Sequence, residues 1–170
     1  LTSASARQAA RELARAMGVE TSRVDGALLA AAAAQRWYET ELLAAGEQAL
    51  AYASARGVTA VLVCGSLHVL HDPVLNASIP RLLRLNGALA IPSDAYPTDP
   101  ETEALPKVFF GDANRALRAA ACARRRGDAF PLYLASFGCG PASFVEQLFS
   151  SLLQGYPHTL PEADGHGGAA

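Results

Sequence analysis

The segment TAVLVCG at residues 59–65 constrains the fold most, because it is a short β-branched run that ends in glycine. Such a run is typical of a strand buried on both faces, as found in parallel sheets covered by helices. ALAIPS at 88–93 and FPLYLASF at 130–137 indicate two more strands, and HTLPEA at 158–163 indicates a fourth. Helical patterns separate these runs, so the alternation predicts an α/β domain with helices on both faces of the sheet.

The commonest strand order for this alternation is 2-1-3-4, as in Rossmann-like and flavodoxin-like folds. It puts a topological switch point between strands one and three, where ligands bind outside the carboxyl ends of the strands. The segments that leave the strands at this edge are GSLHVLHDP, SDAYP, FGCGP and ADGHGG. We therefore expect a substrate or partner edge that contains Ser66, His68, Asp72, Asp94, Gly138, Gly140, Asp164 and His166. Cys64 and Cys139 are therefore expected to lie close together at this edge.

Residues 1–57 are rich in alanine and carry no strand pattern, so they predict a helical segment ahead of an α/β domain at 58–170. One helix is expected near 5–17, with Gly18 as its C-cap, and a longer one from an Asp25 N-cap to about residue 55. Gly46 costs that helix about 1 kcal/mol relative to alanine, which allows a break or kink there. Further helices are expected after Pro80, at 107–126 and at 141–155. The chain stops where such a fold would begin another helix, so we expect a fragment of a longer protein.

The composition excludes several function classes. The 170 residues are 51% apolar with a net charge of −2 and interspersed charges, which indicates no nucleic-acid partner. The basic run Arg124–Arg126 is interpreted as a helix C-terminus. No apolar stretch reaches the roughly 18 residues of a membrane span and no signal sequence opens the chain, so a cytoplasmic protein without a membrane partner is expected. Three widely spaced cysteines disfavour a disulfide framework and a local metal site.

The turn FGCGP raises the question of what Cys139 does. Pro141 suits the first position of a helix, which puts Cys139 near a helix N-terminus, where the dipole stabilises a thiolate. The flanking glycines leave the sulfur uncovered. The alternative is that the glycines and the proline only form a turn and that the cysteine is a small buried side chain. The residues support both interpretations equally.

Other chemistries receive less support from the residues. A nucleophilic Cys139 would need a base from His68, His71 or His166, each of which also fits a solvated loop histidine. A zinc site formed by HVLHD and Cys139 has little support, because two histidines at this spacing in a loop are a weak motif. Asp72, Asp94 and Asp164 are typical of solvated carboxylates. Neither GxxxxGK[ST] nor GxGxxG follows the first strand, which disfavours nucleotide binding by those routes.

Several ordered motifs carry a family resemblance over residues 58–170. They are GSLHVLHDPVLNASIPRLLRLNG, NRALRAAACARR, FGCGPASF and a later DGH followed by GG. The chain thereby resembles the acyl-CoA dehydratase activase-related proteins, in the wider 2-hydroxyacyl-CoA dehydratase and BcrAD/BadFG activase family, of which it looks like a C-terminal dehydratase-like fragment. The N-terminal helices match this family only in character. The resemblance places Asn76 and Pro80, with Gly138, Gly140, Pro141, Asp164 and His166, on motif positions and adds Asn76 to the expected edge.

The resemblance implies a role in ATP-driven, low-potential electron transfer to iron–sulfur enzymes that act on acyl-CoA. It implies that Cys139 is a candidate [4Fe–4S] ligand whose other ligands lie outside this chain, since such a cluster needs four. The implied partners are the ATPase and dehydratase-like portions of the parent chain and an acyl-CoA. This segment alone is expected to bind no cluster and to hydrolyse no ATP.

Four departures from the family motifs affect the expected edge. Ser66 replaces an arginine, His68 a tyrosine, Ala142 an aspartate and Gly165 a glutamate. The lost charges weaken the case for substrate binding or catalysis. The alternative function is a non-redox Rossmann-like module that binds a CoA thioester, a small anion or a partner domain.

Overall fold

The computed structural model describes residues 3–102, 105, 107–136 and 140–163. The chain divides into two units, Leu1–Leu42 and Leu43–Ala170. The boundary between them falls within one long helix.

The first unit contains one whole helix, a 3₁₀ turn and the N-terminal part of a long helix. Helix α1, Ala4–Ala16, begins at an N-cap, Ser3, whose hydroxyl accepts from the Ala6 N–H at 3.2 Å. A 3₁₀ turn at Thr21–Arg23 leads directly into α2, Val24–Arg56. The prediction that Asp25 is the N-cap of α2 is therefore wrong, because Asp25 lies inside its first turn. The Asp25 carboxylate accepts instead from Arg11 at 2.7 Å.

Helix α2 continues without a break through Gly46. Glycine is required at this position because α2 comes very close to another part of the backbone. A Cβ built there would lie 1.8 Å from the backbone oxygen of Ala95. Gly46 is needed where the helix contacts the loop after the second strand.

A three-stranded parallel sheet forms the centre of the second unit. Strand β1, Thr59–Cys64, lies between β2, Ala88–Pro92, and β3, Phe130–Tyr133. In this register Leu62 pairs with Ile91 on one side and with Pro131 on the other. The predicted α/β class and the central position of β1 are confirmed.

The expected fourth strand at 158–163 contacts β3 only through an isolated parallel bridge between Leu132 and Thr159. The Tyr133 N–H donates to the Thr159 carbonyl at 2.9 Å and the Thr159 N–H donates to the Pro131 carbonyl at 3.2 Å, but in the described residues no continuous fourth strand forms in this sheet. A separate pair of short parallel strands forms from β4, Ala135–Ser136, and β5, Glu162–Ala163. The run predicted as one strand at 130–137 is interrupted at Leu134, whose N–H donates to the Cys64 carbonyl at 2.8 Å. Pro161 has no N–H to offer to a continuous ladder. The structure therefore supports three strands of the predicted order and not the full 2-1-3-4 sheet.

Helices cover both faces of the sheet. Residues 65–73, expected as a loop, contain the short helix α3, Leu67–His71. Helix α4 is Ile79–Leu85 with Pro80 in its first turn, as predicted, and α5 is Gly111–Arg126, four residues shorter than expected at its start. Helix α6, Gly140–Leu152, ends before the expected Gly155. As predicted, the run Arg124–Arg126 lies at the C-terminus of α5.

Two apolar clusters result from the alternation along β1. Leu62 and Cys64 belong to the larger cluster, with Leu117 of α5 and Phe149 of α6. Val63 belongs to the smaller one, which includes Val69, Leu70, Leu132 and Leu134. None of the helices in the described residues has a stretch that is both long and apolar enough to cross a bilayer.

Candidate functional site

A cavity of about 400 Å³ opens beside the ends of β1 and β2 and is bounded by α3, α4 and the connection between them. We call it the edge cavity. Its walls consist of Val63, Leu70, His71, Pro73, Asn76, Ser78, Pro80, Arg81, Ala90 and Pro92. Six of these ten side chains are apolar, so the cavity combines an apolar body with a few polar groups, the composition typical of small-molecule sites.

Local hydrogen bonds shape the α3–α4 connection. Asp72 Oδ1 accepts from the N–H groups of Val74 at 2.8 Å and Leu75 at 3.1 Å, which fixes the turn that follows α3. Asn76 Nδ2 donates to the Leu70 carbonyl at 2.9 Å and so ties the end of the turn back to α3. These contacts explain why aspartate and asparagine stand four residues apart in this segment.

The backbone then passes through an unusual conformation. Ala77 and Ser78 both have positive φ, at 49° and 54°, although neither is glycine. Side chains other than glycine adopt this region at a cost of about 1–2 kcal/mol each. Such strain persists where the surrounding structure enforces it, most often at functional sites. Pro80 follows in the first turn of α4, and Arg81 comes next on the cavity wall.

His71 and Asp94 form a hydrogen-bonded pair next to this cavity. His71 Nε2 lies 2.9 Å from Asp94 Oδ2, and the side chains are 49% and 9% exposed. Because an ionised carboxylate can only accept, Nε2 carries the proton and the ring orientation is fixed. The other ring nitrogen, Nδ1, remains for another partner. This arrangement allows His71 to act as a hydrogen-bonding or proton-transferring group in the cavity.

Two buried oxygens at this site have no hydrogen-bond donor among the described residues. They are Asp94 Oδ1 and Asn76 Oδ1, and Asn76 as a whole is only 4% exposed. A buried acceptor without a donor is rare in native proteins and indicates an unseen water, ion or ligand.

The structure thus brings some of the expected edge residues together. Asp72 and Asn76 lie in the α3–α4 connection, and Asp94 contacts His71 at the end of α3. Ser66 is instead the N-cap residue of α3, and His68 is exposed and does not line the cavity. Gly140 is exposed at the start of α6. Gly138, Cys139, Asp164 and His166 lie outside the described residues, so their proposed places at the edge stay predictions, as does the expected proximity of Cys139 to Cys64.

The two described cysteines are buried and do not form a metal site. Cys64 Sγ donates to the Ala116 carbonyl at 3.7 Å, and burial raises the pKa of this thiol far above its usual range. Cys122 is also fully buried. Among the described residues there is no group of three or more His, Cys, Asp or Glu side chains that could hold a metal ion.

Sequence reasoning missed Arg81 and Ser78. Nothing in the sequence distinguishes Arg81, which lines the cavity, from Arg84, which does not. The fixed φ of Pro80 indicates where α4 begins, but which of the two arginines faces the cavity depends on how α4 packs on the sheet.

Sequence reasoning also missed a polar network beyond β2. Tyr96, which is 1% exposed, donates its hydroxyl proton to Asp128 at 2.5 Å. Arg126 contacts the same carboxylate at 2.9 Å, and Arg125 binds Asp99. The arginines that end α5 therefore have fixed structural partners.

Comparison with known families gives one match. The model for a domain described as a CoA enzyme activase uncharacterised domain matches residues 2–96, more than half of the chain. The match includes the N-terminal helices, which the sequence motifs had related to a family only in character, as well as every residue that lines the edge cavity. No curated protein and no solved structure matches the chain.

Proposed function

Because this chain belongs to the CoA enzyme activase domain family, we propose that it has an activase-like role and that the edge cavity is its functional site. One observation carries this proposal. The matched region, residues 2–96, contains the whole cavity together with the His71–Asp94 pair. The orphaned acceptors and the strained connection support a functional rather than a merely structural cavity.

The finer part of the proposal is that the activated enzyme acts on acyl-CoA and receives low-potential electrons in an ATP-driven step. The FGCGPASF and DP-x-x-N-x-x-IP motifs support it by resemblance. The described residues do not fit an iron–sulfur cluster, because a cluster needs four ligands, the described cysteines are Cys64 and Cys122, and no group of three or more possible ligands converges there. We therefore assign no electron-transfer step to them, and Cys139 remains a candidate ligand completed by cysteines elsewhere.

An activation assay tests the activase-like role. A CoA-dependent enzyme is isolated in its inactive form from cells that lack this protein and is incubated with the full activating protein. The variant His71→Ala should slow activation by about tenfold, the loss expected when a hydrogen bond to a charged group is removed. His68→Ala is the matched control, because His68 lies on the same short helix but outside the cavity.

Two results would count against this role. One is full activation by a protein from which residues 1–170 have been deleted. The other is an equal effect of the two histidine variants, which would mean that the edge cavity takes no part in activation.

Anaerobic reconstitution tests the cluster proposal separately. The full protein should take up iron and sulfide and turn brown, and Cys139→Ala should reduce the iron content. A colourless full protein after reconstitution would exclude the cluster and leave the non-redox alternative, a module that binds a small molecule or a partner domain. The edge cavity is the observation that favours this alternative.

A further inference from the structure

One exposed arginine, Arg81, lies on the wall of the edge cavity. Arg81 lines it and has no ion pair or hydrogen bond among the described residues. The other ionisable group on the wall, His71, is already hydrogen-bonded to Asp94. Asp72 uses its carboxylate Oδ1 within its own turn. Arg81 is the one formally charged side chain among the ten described side chains that line the cavity, so the lining itself favours an anion.

The rest of the wall limits what kind of anion can enter. Apolar side chains come from β1, β2 and α3, from the connection after α3 and from the first turn of α4, namely Val63, Ala90, Pro92, Leu70, Pro73 and Pro80. A phosphate ester carries about two charges and needs several donors, whereas one guanidinium matches a single carboxylate through two parallel hydrogen bonds. The volume of about 400 Å³ suits a small molecule with an apolar body.

We propose that the edge cavity binds a small monocarboxylate with an apolar tail, with Arg81 contacting the carboxylate and the six apolar side chains enclosing the tail. The other polar side chains on the wall already use donors within the protein: the Ser78 hydroxyl donates to the Pro73 carbonyl at 3.4 Å, and Asn76 Nδ2 donates to the Leu70 carbonyl at 2.9 Å. Because His71 Nε2 is bound to Asp94, the Arg81 guanidinium is the donor group on the described wall that is left for a carboxylate. This inference shares one assumption with the proposed function, namely that the edge cavity is the functional site. It does not require the activase-like role, because the cavity can bind a ligand without it.

Titration calorimetry of the 170-residue chain with acetate, butanoate and hexanoate tests the proposal. Affinity should rise by about fourfold for each added methylene that becomes buried. Hexanamide, which has the same tail without the charge, should bind about tenfold more weakly than hexanoate or worse.

Arg81 variants connect this binding to the cavity. Arg81→Ala should weaken hexanoate binding by about tenfold or more, and Arg81→Lys should weaken it less, since lysine keeps the charge but not the planar fork. Arg84→Ala is the matched control, an exposed arginine on the same helix away from the cavity. Circular dichroism verifies that each variant is folded.

Several outcomes would overturn the proposal. They are no binding of any carboxylate, equal binding of hexanoate and hexanamide, equal effects of Arg81→Ala and Arg84→Ala, or tighter binding of inorganic phosphate or coenzyme A than of hexanoate. Each leaves the activation assay with the deletion variant unaffected, so a failure of the ligand and a failure of the activase-like role are distinguishable.

Discussion

Gly46 shows how one residue fixes the contact between α2 and the loop after β2. A methyl group there would come within 1.8 Å of the Ala95 oxygen and 2.8 Å of its carbonyl carbon, both of them backbone atoms that cannot rotate away. Alanine favours a helix over glycine by about 1 kcal/mol, but the overlap costs more than that gain. The local propensity and the packing therefore act in opposite directions, and packing is stronger.

The substitution Gly46→Ala is predicted to lower the free energy of unfolding by about 2 kcal/mol, as expected for an overpacked core. Urea denaturation measures it. Gly111→Ala is the control, because a Cβ at Gly111 meets nothing within 4 Å and lies at the start of α5. Equal stability of the Gly46 variant and the native chain would show that the loop can move away from α2.

Ala77, in the connection between α3 and α4, adopts a backbone conformation that glycine would tolerate better. Ala77→Gly relieves about 1–2 kcal/mol of strain and loses about 0.5–1 kcal/mol through the greater freedom of the unfolded chain. The predicted result is a protein that is about 0.5 kcal/mol more stable in urea denaturation. Ala51→Gly, at an exposed position inside α2, should instead cost about 1 kcal/mol. A similar loss for both variants would contradict the assigned strain.

Among the secondary-structure elements, the features that the sequence predicts are those that depend on interactions between residues close together in the chain. The turn formed by Asp72 and Asn76 depends on partners within six residues, and Pro80 starts α4 by its own fixed φ. The His71–Asp94 pair spans 23 residues and depends on the loop after β2 reaching the end of α3, which no local pattern encodes. The β4–β5 pair likewise depends on long-range pairing, because Ala135 lies opposite Glu162 and Ser136 opposite Ala163.

Tyr96 joins two elements, the loop after β2 and the turn between α5 and β3, through its hydrogen bond to Asp128. Tyr96→Phe removes this bond to a charged group and should lower the free energy of unfolding by about 2 kcal/mol at neutral pH. Tyr52→Phe, on the exposed side of α2, should change it by less than about 0.5 kcal/mol. If the two variants are equally stable, the Tyr96 hydroxyl does not stabilise the fold.

The same tyrosine predicts sensitivity to alkali. Burial, and then the hydrogen bond to Asp128, raises the pKa of Tyr96 far above its usual range. The unfolded chain loses the proton near pH 10 while the folded chain keeps it, so the stability present below that pH falls as the pH rises further. The free energy of unfolding should decline above about pH 10 more steeply in the native chain than in Tyr96→Phe. Parallel declines in urea series at several pH values would contradict this cause.

The whole molecule concentrates its apolar core in the second unit. Both described clusters consist of residues numbered 49 and above, and the C-terminal part of α2 contributes Ala49, Leu50 and Ala53 to the larger one. The first unit, Leu1–Leu42, therefore adds no residue to either cluster as described. The cooperativity of unfolding should depend on the second unit and on the part of α2 that belongs to it.

A chain shortened to residues 43–170 is accordingly predicted to keep the near-ultraviolet circular dichroism of the folded protein. It should also unfold in one cooperative urea transition. A chain shortened to 59–170 lacks Ala49, Leu50 and Ala53, and it also loses Gly46 against Ala95. Uncovering that much apolar surface costs several kcal/mol, a large fraction of the 5–15 kcal/mol typical of a domain, so its transition should be broad or absent. Equal transitions in the two shortened chains would mean that α2 is dispensable for the core, and loss of the transition in 43–170 would mean that the first unit is required to fold the second.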